Sequence, residues 1–332
     1  MVVLAGDQAY RKEIKSRLAF EEARGLFRLQ FQALGTNCGV LFSGVTQEQA
    51  FQFAREAVDW VACFEGKYSR FLDTSLLSEI NRQAGKAWVK LDEDAEHLFA
   101  LCDDLNFMTH GRLDPSGLPL ILLWDYRRKR LELPSEGEVA QARELVGWQK
   151  VERRAGEVFL PREGMCLDFG GFGKEYAVDK VAGLAVSNGI GSALIDFGQD
   201  IHVLGTPPDS PAWHIGLEDP ARPGSTWVGL AMIREGGVAT SGDYHRGFFF
   251  EGKRYGHIID LKTGYPVANG LRSVSVVAPS CLEAGVLSTA AFVAGELEGM
   301  KLLEANYGAE GCFVGETSNY QTSRFYEYVV QD

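Results

Sequence analysis

Along the 332-residue chain, apolar positions recur with a period of two in some stretches and near 3.6 in others, and the changes of period mark out the elements. Tyr10, Ile14 and Leu18 stand four apart among charged residues, which predicts an accessory amphipathic helix over residues 5–24 stopped by Gly25. Strands are predicted at 27–33 and 38–43, joined through the turn Gly35-Thr36-Asn37. Thr46 then caps a helix whose Ala50, Phe53, Ala54, Ala57, Val58 and Val61 share one face. A short helix through Ile80, a longer one over 92–110 and a more polar one over 134–147 follow, with a hairpin-like region at 149–160. From Met165 the texture becomes short strands and Gly-rich turns. Strands are predicted at 166–169, 193–197, 201–204, 213–217, 229–233, 247–250, 273–277, 312–315 and 325–329, with helices at 174–186 and 283–295. Strands joined mostly by short turns, with helices inserted in blocks, predict an α+β fold. Residues 1–26 are read as the accessory helix and 27–332 as the main domain, in one or two lobes.

Composition narrows the function classes. Acidic residues outnumber basic ones by 45 to 33, for a formal charge of −12. Such a field disfavours sequence-independent attachment to nucleic acid or anionic lipid. The run Arg127-Arg128-Lys129-Arg130 is the local exception and reads as a solvated loop before Pro134. Six cysteines are scattered without a C-x-x-C pair, so they read as reduced, mostly buried thiols. No signal-peptide pattern and no membrane-length apolar run is present, so the chain as given reads as cytoplasmic.

Three stretches carry candidate chemistry. In Leu167–Asp179, Gly170, Gly171 and Gly173 lead into a helix, which lets bare backbone meet a ligand's negative charge, with Lys174 at the mouth. The same residues also describe a tight turn with no ligand. Around 238–264, Thr240 and Ser241 offer hydroxyls to a phosphate or ring carbonyl, and His257 lies three residues from Asp260, a spacing that points to opposite faces of a strand. The alternative is a hairpin turn at 240–243 and a histidine bonded to backbone. In 283–292, Ser288 and Thr289 either face a polar site or belong to a helix that only packs. Neither G-x-S-x-G nor H-E-x-x-H occurs, which removes the serine-hydrolase and metalloprotease classes.

Taken in order, Ala33–Thr36, Tyr68–Phe71 with Ser75 and Asn81, Gly111–Ser116, Leu167–Asp179, Asp196–Asp200, Ala239–Tyr244, His257–Gly264 and the helix at 283–295 resemble the FAD:protein FMN transferases, the ApbE family. The resemblance implies an ApbE-like, T-fold-related fold of mixed or antiparallel sheets with flanking helices and a cleft for FAD. It also implies transfer of FMN from FAD to a threonine of an acceptor flavoprotein, with Mg²⁺ at the pyrophosphate and AMP released. Carried over residue by residue, the flavin-nucleotide positions are Leu34, Tyr68, Leu113, Asp114, Ser116, Asp168, Lys174 and Ile259, joined by Thr240 and Ser241. His257 is the matching histidine, for proton handling or phosphate contact, and Gly171, Ser288 and Thr289 match the metal positions. Members of that family are often exported and lipid-anchored.

The chain departs from the pattern it resembles. Gly285 stands where the family's metal helix usually carries Asp, Ser288 fills the place of a second Asp found in some members, Glu175 follows Lys174 in place of Gly, Gln199 replaces Gly and Leu261 replaces Pro. A cation held by neutral oxygens alone is held weakly. Glu283, Asp243 and Glu175 are the candidate substitutes, and Gly285→Asp is expected to raise metal affinity. The departures keep two further readings in play, a flavin-binding paralogue without transfer chemistry and a slow FAD pyrophosphatase.

Overall fold

In the computed structural model, residues 18–128 and 132–330 are described. Nine strands form one antiparallel sheet: β1 (Ala19–Ala23), β2 (Leu26–Ala33), β3 (Thr36–Ser43), β4 (Ser192–Phe197), β5 (Ile201–Leu204), β6 (Gly236–Gly242), β7 (Leu271–Ala278), β8 (Glu310–Gly315) and β9 (Asn319–Gln321). Their order in space is their order in the chain. The helices are inserted between neighbouring strands. The β3–β4 insertion carries α1 (Gln47–Tyr68), α2 (Leu76–Arg82), α3 (Glu93–Met108), α4 (Leu118–Leu123), α5 (Glu136–Glu144) and α6 (Gly173–Ser187). The β7–β8 insertion carries α7 (Cys281–Ala294) and α8 (Glu296–Ala305). This is the α+β architecture the strand pattern predicts.

Alternation decides which way each strand faces. Phe27, Leu29, Phe31 and Ala33 of β2 are buried against α1 and α6, while the residues between them are exposed. A fully buried phenylalanine in that layer, such as Phe42 or Phe53, contributes about 1.5–3 kcal/mol. On β7, Val274 and Val276 pack under α7, whereas Val277 meets a hairpin, Trp213–Glu218 with Thr226–Met232, on the opposite face. Glycine sets the closest approach. A Cβ on Gly237 of β6 would lie 2.3 Å from the Cys281 amide nitrogen, so the start of α7 rests on bare backbone.

Helix ends follow the sequence signals. Thr46 accepts from the Gln49 amide at 3.3 Å and Gln49 reaches back to the Thr46 amide at 3.0 Å, a complete capping box. Asp92 caps α3 by accepting from the Ala95 amide at 3.0 Å.

Three predicted elements differ. Residues 1–17 lie outside the described residues, but 19–23, expected as the end of the N-terminal helix, form strand β1. Pairing with β2 and the stacking of Phe20 on Phe27 and Phe51, at 5.9 and 4.6 Å, outweigh the helix preference of the Glu-Glu-Ala run. Residues 166–169 have no ladder partner. The Asn81 side chain replaces one, accepting from the Leu167 amide at 2.7 Å and donating to its carbonyl at 2.9 Å. Residues 325–328 form a 3-10 turn instead of a strand, with a single bridge from Val329 to Leu230. Among the described residues no helix is long and apolar enough to cross a membrane.

Candidate active site

Two hairpin tips lie side by side at one end of the sheet. In the first, Leu34 and Gly35 both take left-handed backbone, with φ of 53° and 69°, between the paired residues Ala33 and Thr36. The tight turn of a two-residue hairpin demands that geometry, and a leucine enters it at a cost. The Glu65 carboxylate of α1 accepts the Leu34 amide at 2.6 Å and holds the turn in place. In the second tip, Gly198 and Gln199 have φ of 71° and 73°. A Cβ on Gly198 would fall 2.3 Å from Thr36 Oγ1, so only glycine lets the two tips touch. Gln199 keeps the left-handed backbone that a glycine would take freely, and its amide donates to Asp196 at 2.7 Å.

These tips form one wall of a cleft of about 850 Å³. The other walls come from the loop after α1, the loop after α3, the turn into α6, the end of β6 and the 244–261 insertion. Leu34, Tyr68, Leu113, Asp114, Asp168, Gly171, Lys174, Thr240, Ser241, His257, Ile259, Ser288 and Thr289 all line it. Ser116 does not. It is fully buried, donating to Asp114 Oδ1 at 2.6 Å and accepting from the Gly147 amide at 2.7 Å, so it shapes the 113–117 loop from behind. Asp114 spends its carboxylate the same way, on the Ser116 amide and on the Trp148 amide, each at 2.8 Å.

Charge is concentrated where the cleft meets α6. The N-terminus of α6 has no side-chain cap, so its positive dipole end opens toward the cleft beside Gly171. Lys174 pairs with buried Asp200 and lies 3.9 Å from Glu175 Oε1. Opposite, Arg70 Nε donates to Asp168 at 2.9 Å, and the Asp168 amide bonds the Pro115 carbonyl, which ties the two loops together. Arg70 also lies over the exposed Phe71 ring at 4.1 Å, with Arg127 at 5.7 Å. Arg127, expected in a solvated loop, is thus part of the cleft rim; Lys129 and Arg130 lie outside the described residues.

Residues 240–242 are the end of strand β6, not a hairpin turn, and their hydroxyls are networked. Thr240 bonds Ser275 at 2.7 Å, and Ser241 bonds Ser288 at 2.9 Å and Thr289 at 2.7 Å. His257 is half-buried and edge-on to Tyr126. Its Nδ1 lies 3.3 Å from the Arg246 carbonyl, which assigns the proton to Nδ1 and the lone pair to Nε2. Burial, then the charges of Arg246, Arg254 and Lys174, lower its pKa to about 4. Asp260 bonds the Lys262 amide and does not line the cleft, so it is no partner of His257.

Among the described residues, no three His, Cys, Asp or Glu side chains gather as a metal site. Of the three substitute carboxylates Glu175 lines the cleft, whereas Asp243, held between Arg254 and Arg272, and Glu283 lie outside its lining. Gly285→Asp would meet the Glu175 side chain, because a Cβ at 285 would lie 2.4 Å from Glu175 Cγ. Glu65 and the Gly285–Glu175 contact escaped sequence reading, since each joins residues far apart in the chain with no local signature.

Fold and cleft together define an α+β protein with a pocket of nucleotide size, one part of it marked by a helix N-terminus and a lysine. The chain belongs to the ApbE family, whose model matches residues 34–313. It is 32% identical over 260 residues to the FAD:protein FMN transferase of Treponema pallidum, covering 73% of this chain and 71% of that one. It is 25% identical to the FAD:protein FMN transferase of Salmonella typhimurium, covering 92% of this chain and 89% of that one. The crystal structure of the ApbE protein of Thermotoga maritima superposes with a TM-score of 0.82 at 29% identity, covering 92% of this chain and all of that one.

Proposed function

We propose that this protein transfers the FMN half of FAD to a threonine hydroxyl of an acceptor flavoprotein, with Mg²⁺ at the pyrophosphate and AMP as the second product. The observation that carries this reading is the uncapped start of α6, with Lys174, opening on a cleft that also holds apolar walls for a flavin ring. Leu34, Tyr68, Leu113 and Ile259 supply those walls. Their rigidity follows from the Glu65-held turn and the Asp114-ordered loop.

Ser241, Ser288 and Thr289 at the β6–α7 corner, with the backbone of Gly171 also lining the cleft, offer only oxygen, which fits a hard divalent cation. Such an ion, when bound, neutralises pyrophosphate charge as the leaving group departs. The chain's own work is positioning: the α6 N-terminus and Lys174 fix the phosphates, and the walls fix the flavin, so that the acceptor hydroxyl approaches in line. The threonine oxygen forms the new bond to the FMN phosphorus, the bond to the bridging oxygen breaks, and AMP leaves with that oxygen. The threonine proton passes to Nε2 of His257.

Incubating the protein with FAD and a candidate acceptor is expected to add the mass of FMN to the acceptor on a threonine and to release AMP, and EDTA is expected to stop both. FAD retained without AMP release would identify a non-catalytic flavin binder, and free FMN plus AMP without acceptor a pyrophosphatase.

Because the fold favours neutral His257 down to about pH 4, the base form is present throughout the ordinary range. Single-turnover FMN transfer at saturating FAD is therefore expected to have its His257-dependent acid limb near pH 4, and H257Q to abolish that limb. A limb near 6.5 would contradict the burial of this ring.

A further inference from the structure

Helices α6 and α7 are locked in register by one carboxylate. Asp179 accepts from the Cys281 and Leu282 amides at 2.9 Å each, which caps α7, and it takes a third contact from His202 Nδ1 at 2.6 Å. One turn away from Asp179 on α6 stands Glu175, and one turn further along α7 stands Gly285. The two meet. The Glu175 side chain fills the volume that a Cβ at 285 would take, with Cγ, Oε1 and Cδ at 2.4, 2.9 and 3.0 Å from that point.

Glu175 is 8% exposed and lines the cleft, yet among the described residues its Oε2 has no hydrogen-bond partner. Lys174 answers part of its charge, at 3.9 Å from Oε1. A buried carboxylate oxygen left without a donor is destabilising, so a packing role alone does not account for it. The next turn of α7 presents Ser288, whose hydroxyl donates to the Gly285 carbonyl at 2.9 Å, and Thr289, which is bonded to Ser241. A carboxylate and hydroxyl oxygens thus gather at one corner of the cleft, a donor chemistry that suits Mg²⁺ or Mn²⁺ and not a soft metal.

We propose that Glu175, reaching from α6 into the gap left by Gly285, is the anionic ligand of the divalent cation in this cleft. The assignment rests on the flavin-transferase reading for the cation's purpose, but not for its location. It carries a structural corollary: charge and volume at this corner belong to the Glu175–Gly285 pair. Asp at 285 with Gly at 175 supplies a carboxylate to the same gap, whereas Asp at 285 beside Glu175 overfills it.

The experiment is Mn²⁺ titration followed by electron paramagnetic resonance, on the full chain with and without FAD. Parent, E175Q, G285D and the E175G/G285D pair are compared, with thermal melting to confirm that each is folded. E175Q is expected to weaken Mn²⁺ binding by tenfold or more, and the exchanged pair to bind at least ten times more tightly than E175Q. G285D alone is expected to melt below the parent and to gain no affinity. Parent-like Mn²⁺ affinity in E175Q would overturn the assignment, as would equal loss in E175Q and the exchanged pair. FAD binding by the parent chain in EDTA is measured alongside. If FAD fails to bind, the flavin reading falls, and the Mn²⁺ titrations of the ligand-free proteins still judge Glu175.

Discussion

Lys174→Met is expected to lose about 3 kcal/mol of stability, because it leaves Asp200 buried at 6% exposure without its cation. Breaking one side of such a pair costs far more than the intact pair is worth, since the remaining charge has neither water nor partner. Asp200→Asn in the same chain is therefore expected to restore most of the lost stability. Turnover is expected to stay lost in both variants, because the charge at the mouth of α6 is gone in each. Urea unfolding separates the two effects. A single Met variant with the parent's midpoint would mean that Asp200 is relieved by another group.

Gly237→Ala is expected to cost at least about 3 kcal/mol, at or beyond the upper end of ordinary overpacking. The added methyl would lie 2.3 Å from Cys281 N and 2.3 Å from the Ser280 carbonyl carbon, and 2.4 Å from Cys281 Cα. All three are backbone atoms, so no side chain can swing aside. The remedy open to the protein is to lift the start of α7 off β6. That motion also pulls Ser288 and Thr289 from Ser241, so FAD and cation binding are expected to weaken together with stability. Denaturant midpoints and FAD titration check both halves, and a parent-like midpoint with parent-like FAD affinity would refute the close approach.

How much of this was legible in the sequence depends on the range of the interaction that decides it. The Thr46–Gln49 cap, the alternation in β2 and the glycines before Lys174 act within a few residues, and each was readable. The N-terminal strand was not, because its Glu-rich composition favours helix while the deciding contacts of Phe20 lie with Phe27 and Phe51. Residues 166–169 looked like a strand because they are apolar and extended. What stands in for a ladder at Leu167 is an asparagine side chain, 86 positions earlier. In the site, the positions the motifs single out line one cleft, with Ser116 displaced one layer behind. The Glu175–Gly285 exchange was visible only as two unrelated departures, since nothing local says that positions 110 apart share one volume.

The agreement between chain order and strand order has a consequence for how this scaffold accommodates change. Each cleft-forming segment leaves the ladder and re-enters it between adjacent rungs, so its ends stay anchored whatever its length. Closing a flexible loop twice as long costs only about 0.6 kcal/mol more. Segment 243–270 can therefore vary in length while β6 and β7 keep their register, whereas within 44–191 the same freedom belongs to the connecting loops and not to α1 and α6, which bury the sheet. Diversification of what the pocket's mouth engages does not require the platform beneath it to be redesigned.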